Sequence, residues 1–282
     1  MTTYSRPINF SKQQTFVVLK YILLIGTSLL TLYPFVWVGL SSLKTDNEVF
    51  GNAFGLPAQW MFSNYAEAWA GARVGQSLFN SLIYSSVSMV LVLLIASMAA
   101  YVLARVRPNK GLYLFFTLGI MVPIHSVIIP LLIFIRSLDW INTRQGIILA
   151  YTVSYLSFSI YILVSFMRTL PREIEDAAAI DGCSRSRTFF SIILPMVKPG
   201  LATVGTFAFI NSWNDLLLAL VITVSPHLQT LNLACYNLRA RYVQHYALIC
   251  AGLMLLIIPV VLIYVLLQEQ IVRGITAGAI KG

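Results

Sequence analysis

Charge is scarce in this chain of 282 residues: 10% of the side chains are charged, where a soluble domain carries about 25%. Hydrophobic residues make up 58%, too many for the available polar surface to cover in water, so the solvent that suits the chain is lipid. Acids are scarcer than bases, 10 against 19, which leaves a net charge of +9. The basic residues form no stripe with interleaved aromatics, which argues against nucleic acid, and they sit at the ends of apolar runs, where a membrane surface places them. The three cysteines, Cys183, Cys235 and Cys250, have no paired spacing, which excludes a disulfide framework or a metal cluster. His125, His227 and His245 are scattered. A phosphate-binding loop needs G-x-x-x-x-G-K-[ST], and Gly274, Gly278 and Lys281 have the wrong spacing, so ATP hydrolysis by this chain is excluded. No nucleophile–base pairing can be argued from spacing.

What is present is a series of long apolar runs. A bilayer crossing needs about 20 such residues, and six runs qualify: Tyr21–Leu40, Ser77–Ala104, Gly111–Ile135, Gln145–Met167, Pro199–Val224 and Tyr246–Leu267. The first is longer than the roughly 7–15 residues of a signal peptide core and no A-x-A site follows it, so it reads as a retained span. With both termini on the cytoplasmic side, the inner segments hold 13 of the 19 basic residues: Arg6, Lys12, Lys20, Arg105, Arg107, Lys110, Arg168, Arg172, Arg185, Arg187, Lys198, Arg273 and Lys281. The outer segments hold Lys44, Arg73, Arg136, Arg144, Arg239 and Arg241. The short inner loop ARVRPNKG weighs most in that orientation, and Arg239 with Arg241 weighs against it.

Two outer segments exceed mere connections. Ser41–Gln76 carries Trp60, Tyr65 and Trp69, and Ser225–His245 carries His227, Asn232, Tyr236, Arg239, Arg241, Tyr242 and His245. Each reads either as a headgroup-level or solvated surface or as contact with an external partner. Within the spans, Ser77, Ser81, Tyr84, Ser85 and Ser88 recur on one helix face, which suits either helix packing through small hydroxyl residues or a polar pathway. Pro34 interrupts the first run, and Pro123 and Pro130 the third. The fifth run contains Asn211, Trp213, Asn214 and Asp215. On a helix starting at Pro199, Asp215 lies about 24 Å along, toward the outer interface, as a pathway residue or as a structural pair.

Leu170–Gly200, LPREIEDAAAIDGCSRSRTFFSIILPMVKPG, is the longest charged segment. Pro171 fits a first helical turn, and Glu173, Glu175 and Asp176 suit a helix N-terminus. Ala177, Ala178 and Ala179 favour helix, Gly182 stops it, and Ser184 caps a second short helix that runs toward Pro195. The spacing predicts a helix–turn–helix on the membrane surface. Its small residues admit another protein and its acids offer partners to basic side chains. From the residues alone, a simple amphipathic interfacial loop remains an equal reading.

PREIEDAAAIDGCSRSRTFFSIILPMVKP resembles the EAA loop of binding-protein-dependent ABC importer permeases, matching from Pro171 through Asp181 and Gly182 to Leu194, Pro195 and Pro199. VRGITAGAIKG and NSWNDLLLAL are similar to the carbohydrate-uptake, MalG-like branch. Asp176 stands where that loop has glutamate, one methylene shorter, and Cys183 stands where alanine is usual. The resemblance implies an all-α polytopic membrane protein with six transmembrane helices and a cytoplasmic coupling-helix loop. It divides the chain into a cytoplasmic N-terminus (1–20), a permease domain (21–267, with the coupling loop at 170–200) and a cytoplasmic tail (268–282). It assigns coupling to an ATPase to Glu173, Asp176, Ala177, Ala178, Asp181, Gly182 and Pro195. The expected substrate pathway is Ser81, Tyr84, Ser85, Asn211, Trp213, Asn214 and Asp215. The implied partners are a homologous second permease, a cytoplasmic ABC ATPase dimer, an external solute-binding protein and the lipid of a bacterial inner membrane. No cofactor is expected on this chain; ATP and Mg belong to the ATPase.

The implied cargo is a sugar or oligosaccharide, with a polyol or glycerol phosphate as the alternative. An ion-coupled secondary transporter would need several buried carboxylates and an inverted repeat. The sequence offers Asp215 and no visible repeat. A purely structural membrane protein would not need the acidic helix.

Overall fold

The computed structural model describes residues 12–279. Arg6 and Lys281, counted above among the inner bases, lie outside the described residues, as do the outer parts (1–11 and 280–282) of the two expected terminal segments. Among the described residues every regular element is helical.

The chain begins with α1 (Lys12–Ser41), then two short helices, α2 (Asp46–Gly51) and α3 (Ser63–Gly71), and the long α4 (Val74–Tyr101), which ends in a π-helical turn at Val102–Val106. The pair α5 (Lys110–Met121) and α6 (Ile124–Ser137) leads to α7 (Arg144–Arg168). The charged segment forms α8 (Glu173–Ile180), α9 (Arg185–Thr188), a second π-helical turn at Phe189–Ile193 and α10 (Leu194–Met196). Then come α11 (Lys198–Asn214), α12 (Leu217–Ile222), α13 (Leu231–Arg241) and α14 (Tyr246–Ala279).

Four stretches are unbroken, long and apolar enough to cross a bilayer: Phe16–Ser41, Val74–Val106, Arg144–Arg168 and Tyr246–Leu266. The other two expected runs differ from straight spans. The third is bent by 105° between α5 and α6. Val122 there is extended (φ −81°, ψ 113°) and Pro123 follows it, because proline cannot donate to the helical ladder and pushes its predecessor out of the helical region. Pro34 and Pro130, by contrast, stay inside α1 and α6. The fifth run, expected to be helical from Pro199 to Val224, stops at Asn214, where Asp215 is extended (φ −66°, ψ 137°). Its N-terminal half is instead continued backward through Arg185–Met196, at a bend of 78°.

The bundle is organised around α4, which packs along α7 and α11, while α14 covers α11, α3 and α1. Between lipid-embedded helices the hydrophobic effect adds little, and close approach through small residues does the packing. Ala96, Ala100, Ala150 and Ala208 are fully buried. At Gly200 a Cβ would stand 2.8 Å from the Phe166 ring, so only glycine lets α11 start this close to α7. The hydrophobic window of α1 has no buried residue.

One end of the bundle is closed by polar ties from backbone to side chain. Asn142, with φ 57°, accepts from the N–H groups of Val224 (3.0 Å) and Ser225 (2.8 Å) and donates to Ser225 Oγ (2.7 Å). Tyr84 Oη donates to Leu228 O (3.0 Å), and Asn80 Nδ2 donates to His227 O (2.9 Å) and Gln229 O (3.1 Å). Asp46 receives the N–H of Ala247 (2.9 Å) and contacts His245 Nδ1 (3.0 Å). A capping box of Thr45 and Glu48 starts α2, and backbone N–H groups of Thr45 and Ala58 hold the Glu48 carboxyl below its ordinary value.

Candidate functional site

At the opposite end, the segment between α7 and α11 folds as its residues suggest. Glu173, Glu175 and Asp176 fill the first turn of α8, where the helix dipole favours negative charge. The helix stops in a full Schellman arrangement: Cys183 N–H donates to Ala178 O (2.9 Å), and Gly182 N–H to Ala179 O (3.1 Å). Gly182 takes φ +76°, the left-handed conformation that a residue without Cβ enters freely. Ser184 then caps α9 by accepting from Arg187 N–H (3.3 Å).

The two faces of α8 differ. Ala178 is 4% exposed, and Ile174 and Glu175 are half-buried, so this face is turned into the chain. Glu173, Asp176, Ala177 and Ile180 stand on the other face in the open, with Ile180 at 87% exposure, and Asp181 and Gly182 continue the open edge. Pro195 is also exposed. Ala178, expected among the coupling residues, is packed inward and has almost no surface. Ile180 was not singled out in the sequence, although its place three residues after Ala177 and four after Asp176 puts it on their face.

The buried face is held by Arg105, from the π-helical turn after α4. Its Nε donates to Glu175 Oε2 (2.6 Å), its Nη1 to Leu170 O (2.8 Å) and Met167 O (3.4 Å), and its Nη2 to Pro171 O (2.9 Å). The Arg105 side chain is 3% exposed and that of Glu175 21%. Among the described residues this is the one contact of this kind between a carboxylate and an arginine or lysine; His245 Nδ1 lies 3.0 Å from Asp46 Oδ2 at the other end. Glu173, Asp176 and Asp181 thus keep their carboxylates unpaired within the described chain. A cleft of about 260 Å³ between α8 and the chain body is lined by Tyr101, Arg105, Arg172, Glu175, Asp176 and Cys183, among others. Sequence reading counted Arg105 only as an inner positive charge. Its partners are 62 to 70 residues away, and no local spacing signals them.

The expected pathway residues scatter. Ser81, Tyr84 and Ser85 are 2%, 0% and 0% exposed. Ser81 Oγ accepts from Leu231 N–H (2.9 Å), and Ser88 Oγ donates to Ile148 O (3.2 Å). The serine stripe therefore joins α4 to α7 and to the segment around 228–231, and in this conformation it has no surface for a solute. Trp213, 3% exposed, sits in a core with Leu231, Ala234, Leu238 and Leu248. Asn211 is half-buried and donates to Phe207 O (2.8 Å) within its own helix. Asn214 is exposed. Asp215 is half-buried; it accepts from Tyr151 Oη (3.1 Å) and from the N–H groups of Leu218 (3.4 Å) and Ala219 (3.1 Å). It thereby caps α12 and fixes the interruption of the fifth run, since a short acidic side chain that captures nearby N–H groups competes with the helical ladder. Of the seven residues, Asn211, Asn214 and Asp215 retain surface.

No group of three or more His, Cys, Asp or Glu side chains that could hold a metal ion occurs among the described residues. The three cysteines are free, Cys235 and Cys250 buried and Cys183 half-buried.

An all-helical protein whose described residues include several helices long and apolar enough to cross a membrane, with a charged helical loop at one end, is the class that this geometry defines. Residues 92–277 match the family described as the binding-protein-dependent transport system inner membrane component, and the chain belongs to that family. It is similar to the diacetylchitobiose uptake system permease protein NgcG of Streptomyces coelicolor, 34% identical over 96% of this chain and 91% of that protein. It is also similar to the trehalose transport system permease protein SugB of Mycobacterium tuberculosis, 33% identical over 92% of this chain and 95% of that protein. In fold it is similar to a chain of a bacterial ABC transporter that imports the acidic polysaccharide alginate, with a TM-score of 0.75, 21% identity, and coverage of 94% of this chain and 99% of that one. The protein is a membrane-spanning permease subunit of an ABC importer; it is not the catalytic component, and ATP hydrolysis belongs to a separate subunit.

Proposed function

We propose that this subunit forms one wall of a path for a sugar or oligosaccharide and that α8 is the element through which a cytoplasmic ATPase moves that wall. The observation that carries the reading is the division of α8. One face is locked to the chain by Arg105, and the other presents Asp176, Ala177 and Ile180 with nothing on them. A rigid helix with a small, acid-flanked and partly apolar open face suits insertion into a cleft lined by basic and apolar side chains. Nucleotide-driven closure of the ATPase pair would then displace α8, and with it α4, α7 and α11, as nearly rigid bodies.

In this reading, each bent helix pair completes one crossing, giving six, with the N-terminal segment (1–20), the coupling loop (170–200) and the tail (268–282) in the cytoplasm of a bacterial cell. The preponderance of basic residues in the segments on that side supports the orientation. A homologous second permease covers the open side of the bundle, and an external solute-binding protein delivers cargo to the end closed by Asn142 and Asp46. ATP and Mg are bound by the ATPase subunits and by no residue of this chain. Saccharide cargo is supported by the names of the relatives, which concern diacetylchitobiose and trehalose uptake. Asn211, Asn214 and Asp215 are the residues of this chain with polar surface left for hydroxyl groups, at a broken span, where irregular backbone at membrane depth is tolerated beside protein or water.

Co-isolation tests the docking. The chain is co-expressed with its partner permease and ATPase, and the ATPase retained on the purified membrane complex is quantified. Ile180→Arg is expected to remove most of it while the permease still inserts, and Asp176→Lys to abolish uptake. Full ATPase retention together with normal uptake in both variants would sink the assignment. Binding of a saccharide panel to the external binding protein, followed by uptake of the tightest ligand, tests the cargo.

A further inference from the structure

Resting on the reading of α8 as the docking helix, we propose that Arg105 is the positioning residue that makes α8 move as one body with α4. The side chain reaches α8 because of a local anomaly in its helix. Val102–Val106 is a π-helical turn, which inserts one residue relative to an α-helix. Each residue of an α-helix turns about 100° around the axis, so an uninterrupted α4 would rotate Arg105, which lies inside the π turn, away from its present acceptors by a part of that angle.

The grip is fourfold: one carboxylate and three carbonyl oxygens, of Met167, Leu170 and Pro171. Those carbonyls belong to the end of α7 and to the two residues that lead into α8, so the guanidinium bridges α4, the exit of α7 and the first turn of α8. An arginine fork suits this, since it offers five fixed donors where lysine offers one point charge. A second contact completes the clamp. The Tyr101 ring, one residue before the π turn, lies 5.0 Å from the ring of Phe189, which opens the other π-helical turn behind α9. α4 thus holds the charged loop on both sides of α8, and a displacement of α8 has no slack to absorb it before it reaches α4.

The assembled transporter, reconstituted in proteoliposomes with its ATPase and binding protein, gives the decisive readout: cargo transported per ATP hydrolysed, together with ATPase retained. Arg105→Gln is expected to keep the ATPase attached at the wild-type ratio and to lower cargo per ATP about tenfold, within the range spanned by coupling free energies. Arg105→Lys recovers part of the loss. The exchange Arg105→Glu with Glu175→Arg does not, because a carboxylate cannot donate to the three carbonyls. Wild-type cargo per ATP in Arg105→Gln would overturn the inference, as would uptake that falls only in step with the amount of assembled complex, or full recovery in the exchanged pair. Full ATPase retention with normal uptake in both the Ile180→Arg and Asp176→Lys proteins would instead bring down the docking reading itself, and this inference with it.

Discussion

Gly182 is where one residue decides whether α8 has an end. Its φ of +76° lies where a side chain is strained, and a Cβ there would meet nothing within 4 Å, so the cost of substitution is conformational alone. A non-glycine residue in that region costs about 1–2 kcal/mol, more for a β-branched one, while asparagine tolerates it. Gly182→Val should therefore shift the loop away from its capped form by about 5–30-fold, and uptake should fall with membrane insertion intact. Gly182→Asn should remain close to wild type. The measurement is initial uptake rate normalised to permease in the membrane, and equal rates for the two variants would contradict the role given to the left-handed cap. The same scale shows what local chemistry reveals. The acids of the first turn, Gly182 and Ser184 acted as their types and positions suggest. Arg105 did not announce itself, because its meaning lies in three carbonyls and a carboxylate supplied by the end of α7 and the segment that follows it.

Elements were legible where hydrophobicity and length coincide, as in the four unbroken spans. They were less legible where a side chain competes with the helical ladder. Pro123 bends the third run by removing a donor; Asp215 ends α11 by taking the N–H groups of Leu218 and Ala219 for itself. The serine stripe had two readings on periodicity alone, because periodicity says that a face is shared and is silent about what meets it. Contacts with Ile148 and Leu231 give it a packing role in this conformation. The connection from α12 to the α6–α7 turn rests on Asn142, through two accepted and one donated side-chain hydrogen bond. Each is worth about 1 kcal/mol, and φ 57° adds a preference for asparagine over alanine. In thermal unfolding of the detergent-purified complex, Asn142→Ala should lose about 2 kcal/mol or more, Asn142→Gly somewhat less because it keeps the backbone conformation, and Asn142→Asp least because the oxygen that accepts both N–H groups survives. The reverse order for Gly and Asp would place the stability in the backbone rather than in the bonds.

At the scale of the whole molecule, the two ends of the bundle are built differently, and the proposed function assigns them to opposite sides of the membrane. One end is tied shut by Asn142, Tyr84, Asn80 and Asp46 against neighbouring segments. The other presents α8 on an arginine clamp, with Glu173, Asp176 and Ile180 unengaged among the described residues. If α8 is the element an ATPase grips, as proposed above, the clamp end faces the cytoplasm, which agrees with the basic loop ARVRPNKG at that same end. The chain carries its own reporter of this. Cys235 and Cys250 are buried, and Cys183 alone among the three is partly open, one residue past the cap of α8. A membrane-impermeant maleimide should label the unaltered protein in inside-out vesicles and leave it unlabelled in right-side-out ones. Cys183→Ser should remove the label, and bound ATPase should slow the reaction at Cys183, since it covers the adjoining face. Labelling confined to right-side-out vesicles would put α8 on the side where no ATPase works, and a helix held so firmly would then have nothing to be moved by.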